Sequence, residues 1–263
     1  MKKNKSGDAD MLTTIKKLTL LSCVLLSPLA TAGTLEHIIE KGELHLCAHP
    51  AQMPFSSRVE KPKGFQIDVA KAIAEKLDVS LKVSWIMPRR QAKKVGCDLY
   101  SGVARLGDGD SKYMLISDPY LRLEFKLVTL KNKAPIHNLD DLKMMVVGVS
   151  SGSIASHALS SKNVEIAVRF ADEASRLQAL TDGLIDAAIV SNVSSGWFQH
   201  QHGQQLTEID AEKVLNVGLN YDYALGLRKA DQKTREAFNQ VLVDLKKEGT
   251  LPTLLNEYGV SPL

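Results

Sequence analysis

Few stretches of this 263-residue chain set out side chains at spacings that could do chemistry. Ser150-Ser151-Gly152-Ser153 stands between an apolar run and a helix-like segment, where free backbone amides and the helix dipole favour an anion. The same serines also suit a plain helix cap. Asp108-Gly109-Asp110 sets two carboxylates among glycines, as calcium loops do, but the oxygen-bearing positions that should follow and a closing Glu are missing. His200 and His202 sit two apart among glutamines and a glycine, which reads as a solvated loop rather than a metal site. Pro88-Arg89-Arg90 opens a short basic helix at most, with Lys93 and Lys94 on a solvated face. No Gly-x-Ser-x-Gly elbow, His-Glu-x-x-His helix or phosphate loop occurs, so the chain reads as a binder without a metal, a cofactor or catalysis.

The chain's first residues are a targeting signal. Lys16 and Lys17 precede the apolar run Leu18 to Leu29, and Ala30-Thr31-Ala32 suits cleavage after Ala32, giving a signal peptide over 1–32. Met11 offers an alternative start to an unusually long charged leader. Cys23 would serve a lipoprotein, but Leu21 and Ser22 make a poor lipobox and the apolar run continues past it. The leader also carries the basic excess: of 33 Lys and Arg against 30 Asp and Glu, its removal leaves 28 of each. A balanced mature chain of ordinary hydrophobicity gives no support for nucleic-acid or anionic-membrane binding, and it is long enough for two modest cores.

These residues are positioned by an α/β frame organised around Gly64 to Leu77. Val69, Ala72, Ile73 and Leu77 share one helical stripe, with Asp68 placed to cap its start. Leu44 to Ala48 before it and Val79 to Trp85 after it alternate apolar and polar residues, completing a βαβ unit. Cys47 falls in the first of these strands and Cys97 opens a third, Cys97 to Val103. Two strands of such a unit can be neighbours, and the two cysteines left in an exported chain are expected to pair. The closed loop of about 50 residues is worth roughly 4 kcal/mol in the chain-entropy model. A metal site would need further ligands, and none has the spacing.

Beyond Cys97 to Val103 comes a turn-rich stretch, Gly107-Asp108-Gly109-Asp110, then Ile116-Ser117-Asp118-Pro119-Tyr120, then a strand at Phe125 to Lys131 and a change of composition at Asn-Lys-Ala-Pro. A second α/β pattern follows: strands at Met144 to Val149, Val164 to Phe170 and Asp186 to Val190 alternate with helices at Ser153 to Leu159, Glu173 to Thr181 and Ser191 to Gln199. Tyr221 to Leu227 reads as a strand returning to the first unit, which helices at Thr234 to Glu248 and Leu251 to Tyr258 complete. The expected lobes are therefore 33–126 plus 220–263, and 127–219, joined by two hinge crossings.

Gly64-Phe65-x-Ile67-Asp68-Val69-Ala70, Ser117-Asp118-Pro119-Tyr120, Leu139-Asp140-Asp141-Leu142-Lys143 with Val147-Gly148-Val149, Gly183-x-x-Asp186-Ala187 and Glu248-Gly249-Thr250 resemble the marks of solute-binding protein family 3 over nearly the whole mature chain. Cys47-Ala48 with Pro54-Phe55-Ser56, Pro88-Arg89-Arg90, Cys97-Asp98, Pro119-Tyr120-x-Arg122 and Tyr258-Gly259-Val260 are similar to the binding-type proteins encoded beside quinoprotein methanol dehydrogenases. Between Arg90 and Cys97 the chain is several residues shorter than that subfamily. The resemblance implies a two-lobed periplasmic binding fold, working as a monomer, with its ligand in the cleft between lobes. Phe55 would give an aromatic wall, Ser101 and Gly102 backbone groups, and Ser151, Gly152 and Ser153 an anion loop.

Two departures from the family bear on the ligand. Amino-acid binders carry an Arg seven residues before the Ser of Ser-x-Pro-Tyr, and here that position is Asp110, with Arg105 able to substitute only after a loop shift. They also carry an Asp five residues after the Asp of Asp-Ala, and here that is Ser191. Free α-amino acids are therefore not expected to bind with the family's usual affinity. The resemblance implies a small polar solute carried to an ABC permease; its alternatives are an accessory protein docking on a periplasmic PQQ-dependent (methanol) dehydrogenase and a small cleft enzyme of dehydratase type.

Overall fold

The computed structural model describes residues 33–263 except 60, 88, 89, 106, 108, 112, 132, 204, 205, 261 and 262. The leader, with Met11, Cys23 and the cleavage point after Ala32, lies outside the described residues. So do Arg89 and Asp108.

Helix α1 (Leu35–Lys41) is capped by the Thr34 hydroxyl and ends at Gly42 in the left-handed region. Strand β1 (Glu43–Ala48) follows, then the short ribbon β2 (Ala51–Gln52) and β3 (Ser56–Ser57), helix α2 (Phe65–Lys76) and strand β4 (Ser80–Trp85). β1 and β4 pair in parallel from Glu43 with Ser80 to Ala48 with Trp85, so α2 is the crossover of a βαβ unit. Its start differs from the sequence expectation. Asp68 lies in the first turn, and the cap is Gly64 at φ 103°, where a Cβ would sit 2.6 Å from the Phe55 carbonyl oxygen. Only glycine accepts both that backbone and that contact. Asp68 instead accepts a hydrogen bond from the Tyr258 hydroxyl, which itself accepts from the Gly64 amide at 3.2 Å. Burial and the Asp68 carboxylate raise the pKa of Tyr258, keeping it a donor.

Helix α3 (Gln91–Val95) and strands β5 (Leu99–Arg105) and β6 (Met114–Leu123) continue the first lobe. Cys47 and Cys97 are disulfide-bonded, with 5.7 Å between Cα atoms. Ile116 to Tyr120, assigned to no element by sequence, lies within the ten-residue strand β6. This strand tolerates proline because it is an edge strand whose register shifts at Pro119.

Strand β7 (Phe125–Leu130) begins the second lobe, followed by a 3₁₀ turn at Leu139–Leu142, β8 (Val146–Gly148), α4 (Ile154–Ser160), β9 (Glu165–Ala167) and α5 (Glu173–Thr181). Then come β10 (Ala187–Ser191), α6 (Asn192–His202), β11 (Leu206–Asp210) and α7 (Ala211–Leu215). The chain returns as β12 (Tyr221–Arg228), α8 (Gln232–Lys247) and α9 (Thr250–Asn256). One sheet has the order β4-β1-β5-β12-β6 and the other β11-β7-β10-β8-β9. Phe125 and Lys126, placed at the end of the first lobe by sequence, pair instead with β10 and β11 of the second sheet, so the strands change sheets at Glu124.

Both crossings are stitched by side chains. The Asn192 Oδ1 accepts from the Glu124 amide at 3.1 Å and its Nδ2 donates to the Arg122 carbonyl at 3.1 Å. At the return, the Glu212 carboxylate accepts from the amides of Leu219 and Asn220 at 2.6 and 2.8 Å, while Asn220 Oδ1 accepts from the Phe125 amide at 2.7 Å. Those backbone donors hold the Glu212 carboxyl below its ordinary pKa. Helix α6 belongs to both cores: Val193 is buried with Leu46, Phe65 and Phe238 of the first lobe, and Phe198 with Leu177 and Val190 of the second.

His45 is buried on β1 with its ring Nε2 2.8 Å from Ser84 Oγ, and desolvation, helped by Lys82, lowers its pKa. The folded state therefore binds its proton less readily than the unfolded chain. This contribution to stability is full above the unfolded pKa of about 6.5 and is lost as pH falls below it. Thermal melts between pH 7 and 5 should show a shallower loss of stability for His45→Gln than for the wild type. Equal slopes would remove His45 from the acid response.

Candidate functional site

A cavity of about 980 Å³ opens between the lobes at the carboxyl ends of β1, β5 and β8. On the first lobe Phe55 is fixed by the close approach of Gly64 and packs on Phe65 and Tyr223 at ring distances of 5.3 and 6.2 Å. Tyr223 lies across Gly102, where a Cβ would come within 1.9 Å of the tyrosine oxygen, and it accepts a hydrogen bond from Gln66. Ser101 is buried beside it; its carbonyl accepts a hydrogen bond from the Tyr120 hydroxyl and its own Oγ has no partner among the described residues. Met53, Met87, Met114 and Tyr100 line this wall too, and among the described residues it carries no Lys, Arg, Asp or Glu, with His49 at its edge.

The charged groups come from the second lobe. Asp172 caps α5 through a reciprocal pair of hydrogen bonds with Ser175, which turns Glu173 and Arg176 toward the cleft on one face. Glu173 Oε2 accepts from both the amide and the hydroxyl of Ser191, at 3.0 and 2.6 Å. Arg176, 3 % exposed, donates from Nη1 to Ser150 Oγ at 2.6 Å, its Nη2 lies 3.5 Å from Glu173 Oε1, and its Nε is buried without an acceptor among the described residues. Burial lowers the Arg176 pKa while Glu173 and Asp172 oppose the shift. The guanidinium keeps its charge.

Of the residues singled out by sequence, Phe55, Ser101, Gly102 and Ser191 line this cavity. Ser191 also caps α6 through the Ser194 amide. Arg105 is not among its walls: its guanidinium turns away to the Ser117 carbonyl and the Asp118 carboxylate, both at 3.3 Å. Ser151 and Gly152 are exposed and outside the walls, and Ser153 caps α4 and lines an adjoining cavity. Only Ser150 of that serine run reaches the charged cluster. Asp110 does not threaten a ligand carboxylate as expected, since it accepts from the Ile116 amide at 2.9 Å and pairs with Arg235 of α8 at 2.6 Å. His200 stacks on Trp197 and His202 leans on Phe198 at 4.5 Å, both in the last turns of α6.

Sequence reasoning passed over Glu173 and Arg176. The signal was there: 173, 176, 177 and 180 form one stripe, and in an α5 otherwise packed by Leu177 and Leu180 it carries an acid and a base where apolar residues belong.

Comparison with solved structures places the chain among two-lobed binding proteins. It superposes on an ancestral cationic amino acid solute-binding protein with a TM-score of 0.73 over 86% of this chain and 99% of that one, and at 22% identity this shows the fold. The periplasmic binding protein XoxJ from Methylobacterium extorquens AM1 is 27% identical, with a TM-score of 0.65 over 84% of this chain and 99% of that one. The histidine-binding periplasmic protein of Escherichia coli K12 is 27% identical over 262 residues, 93% of this chain and 97% of that protein. Both sheets and every wall of the cleft fall within residues 44–261 apart from one residue of β1, and because that whole span matches the model of bacterial extracellular solute-binding proteins, family 3, the chain belongs to that family.

Proposed function

We propose that this protein, freed of residues 1–32 by export, works in the periplasm as a monomer that holds a small carboxylate solute between lobes 33–124 plus 220–263 and 125–219, and presents it to an ABC permease. Its relatives are binding proteins, and catalysis plays no part in this reading. The observation that carries it is the donor balance of the charged cluster. Glu173 is occupied by Ser191 and Arg176, whereas Arg176 has donors to spare and, among the described residues, Ser150 and Glu173 alone to take them. An arriving group should be an acceptor, and a carboxylate suits a guanidinium best.

The histidine-binding relative suggests an amino acid. In this cleft an α-ammonium would compete with Ser191 and Arg176 for Glu173, and among the described residues the first-lobe wall offers no Lys or Arg to share the α-carboxylate. Calorimetry on matched pairs tests this: 4-methylpentanoate should bind more tightly than leucine, by about tenfold or more if one ammonium is left poorly paired. An amino acid that binds more tightly than its desamino analogue overturns the carboxylate reading. Arg176→Met should abolish binding of the carboxylate while the melt stays cooperative, and retained binding would place the charge elsewhere.

A second reading, an accessory protein that docks on a periplasmic PQQ-dependent dehydrogenase, rests on the motifs similar to the binding-type proteins encoded beside such enzymes, Cys47-Ala48, Cys97-Asp98 and Tyr258-Gly259-Val260 among them. A stoichiometric complex with such a dehydrogenase, together with no small-molecule binding, would favour it. Partial proteolysis of the mature protein addresses the lobes themselves: first cuts are expected near 131–135, where 131 and 133–135 are exposed, or near 218–220, and not within α2, seven of whose twelve residues are buried.

A further inference from the structure

Beside the main cleft lies a second cavity of about 380 Å³, walled by α4, the returning hinge segment and β5. It shares Ala104, Phe125, Ser150 and Tyr221 with the cleft, so the two spaces adjoin along these residues. Ser150 stands at the junction, with its Oγ held by Arg176. Among the described residues no side chain lining the annex is ionisable except Tyr221, and the other polar ones are committed within the protein. Ser153 Oγ donates to the Ser150 carbonyl at 2.8 Å and accepts from the Ser156 amide, and the Asn220 amide group serves Phe125 and Glu212. The rest of the wall includes Val149, Ile154, Ala155, Ile189 and Leu219.

The apolar part of this wall suits a group that asks for no hydrogen bonds and gains by leaving water. A dry apolar cavity of about 150 Å³ already takes benzene in another protein, so the annex is large enough for an aryl ring or a chain of several methylenes. We infer that the solute is amphiphilic, with its carboxylate at the Arg176 and Ser150 junction and an apolar tail in the annex. This rests on the carboxylate reading above. Ala104 and Tyr221 come from the first lobe and Val149 to Ala155 from the second, so the tail touches both lobes beside the hinge.

Calorimetry of the mature protein with straight-chain monocarboxylates from butanoate to octanoate tests the inference. Affinity should rise about threefold to fourfold per added methylene until the annex is full. Gly218 lines the annex, lacks a positive φ, and a Cβ there meets nothing within 4 Å, so Gly218→Phe should fold and flatten the series. Ile154→Asn, at a 59 % exposed position, should lower the gain per methylene without a folding cost. Carboxylates that bind with affinity independent of chain length remove the annex and leave the carboxylate reading standing. An unaltered slope in Gly218→Phe likewise overturns the annex. Failure of every carboxylate, with or without binding of an amino acid, overturns both.

Discussion

Replacing Cys47 and Cys97 by serine together is expected to destabilise the mature protein by about 2–4 kcal/mol, lowering Tm by roughly 5–15 °C for a chain of this size. The bond closes a 50-residue loop that contains α2, β4 and α3, the whole βαβ crossover and the segment after it. Without it the unfolded chain gains the loop's conformational freedom, an entropy worth about 4 kcal/mol in the chain-entropy model. In the folded state Arg228 of β12 donates to the carbonyls of Ala92 and Cys97 at 2.8 and 2.7 Å and holds the same corner, so the native geometry there should survive loss of the bond. Denaturant melts of the wild type and double variant measure the loss directly, and one below about 1 kcal/mol would mean that the bond does not restrict the unfolded chain as the loop model requires. Cys47 also lines the cleft, so solute affinity should fall along with stability.

How far the sequence disclosed this molecule follows from which physical signals are local. Glu173 to Thr181 was legible to the residue because its cap, Asp172, and its apolar stripe lie within one segment. The helix at Gly64 was legible in extent, but its cap was not, because Gly64 answers to Phe55 and Asp68 to Tyr258, 190 residues away. Strand β6 was hidden by Pro119 and Asp118, residues that usually break strands and are admitted here by an edge position that only the assembled sheet reveals. β11 and α7 went unread because five residues each, mixed in polarity, give too short a period to register. In the site, Phe55 and Gly102 were found through the family's motifs. The charged pair of Glu173 and Arg176 takes its meaning from Ser150 and Ser191, which reach it from other strands.

Gly196→Ala is expected to destabilise the protein by about 1–3 kcal/mol, although alanine is the better helix former by about 1 kcal/mol. Gly196 lies inside α6, and a Cβ there would come within 2.2 Å of the Gly259 carbonyl oxygen, a backbone atom that cannot rotate aside. Gly259 in turn sits at φ 68° and faces the Gly196 backbone, so neither side can yield without moving a lobe. Propensity and packing thus predict opposite signs, and a melt decides between them: stabilisation by Gly196→Ala would mean that α6 and the C-terminal segment do not touch in solution. The next residue, Trp197, stacks on Tyr258 at 5.3 Å, and it is one of only two tryptophans in the chain. Its fluorescence should therefore change in Gly196→Ala, and the change should vanish in a Trp197→Phe background. The effect should also reach the cleft. Tyr258 holds the Gly64 amide and Asp68, Gly64 sets the position of Phe55, and Phe55 is a wall of the cavity. A substitution on the second lobe's helix, remote from the charged cluster, should then weaken solute binding through the first lobe's aromatic wall.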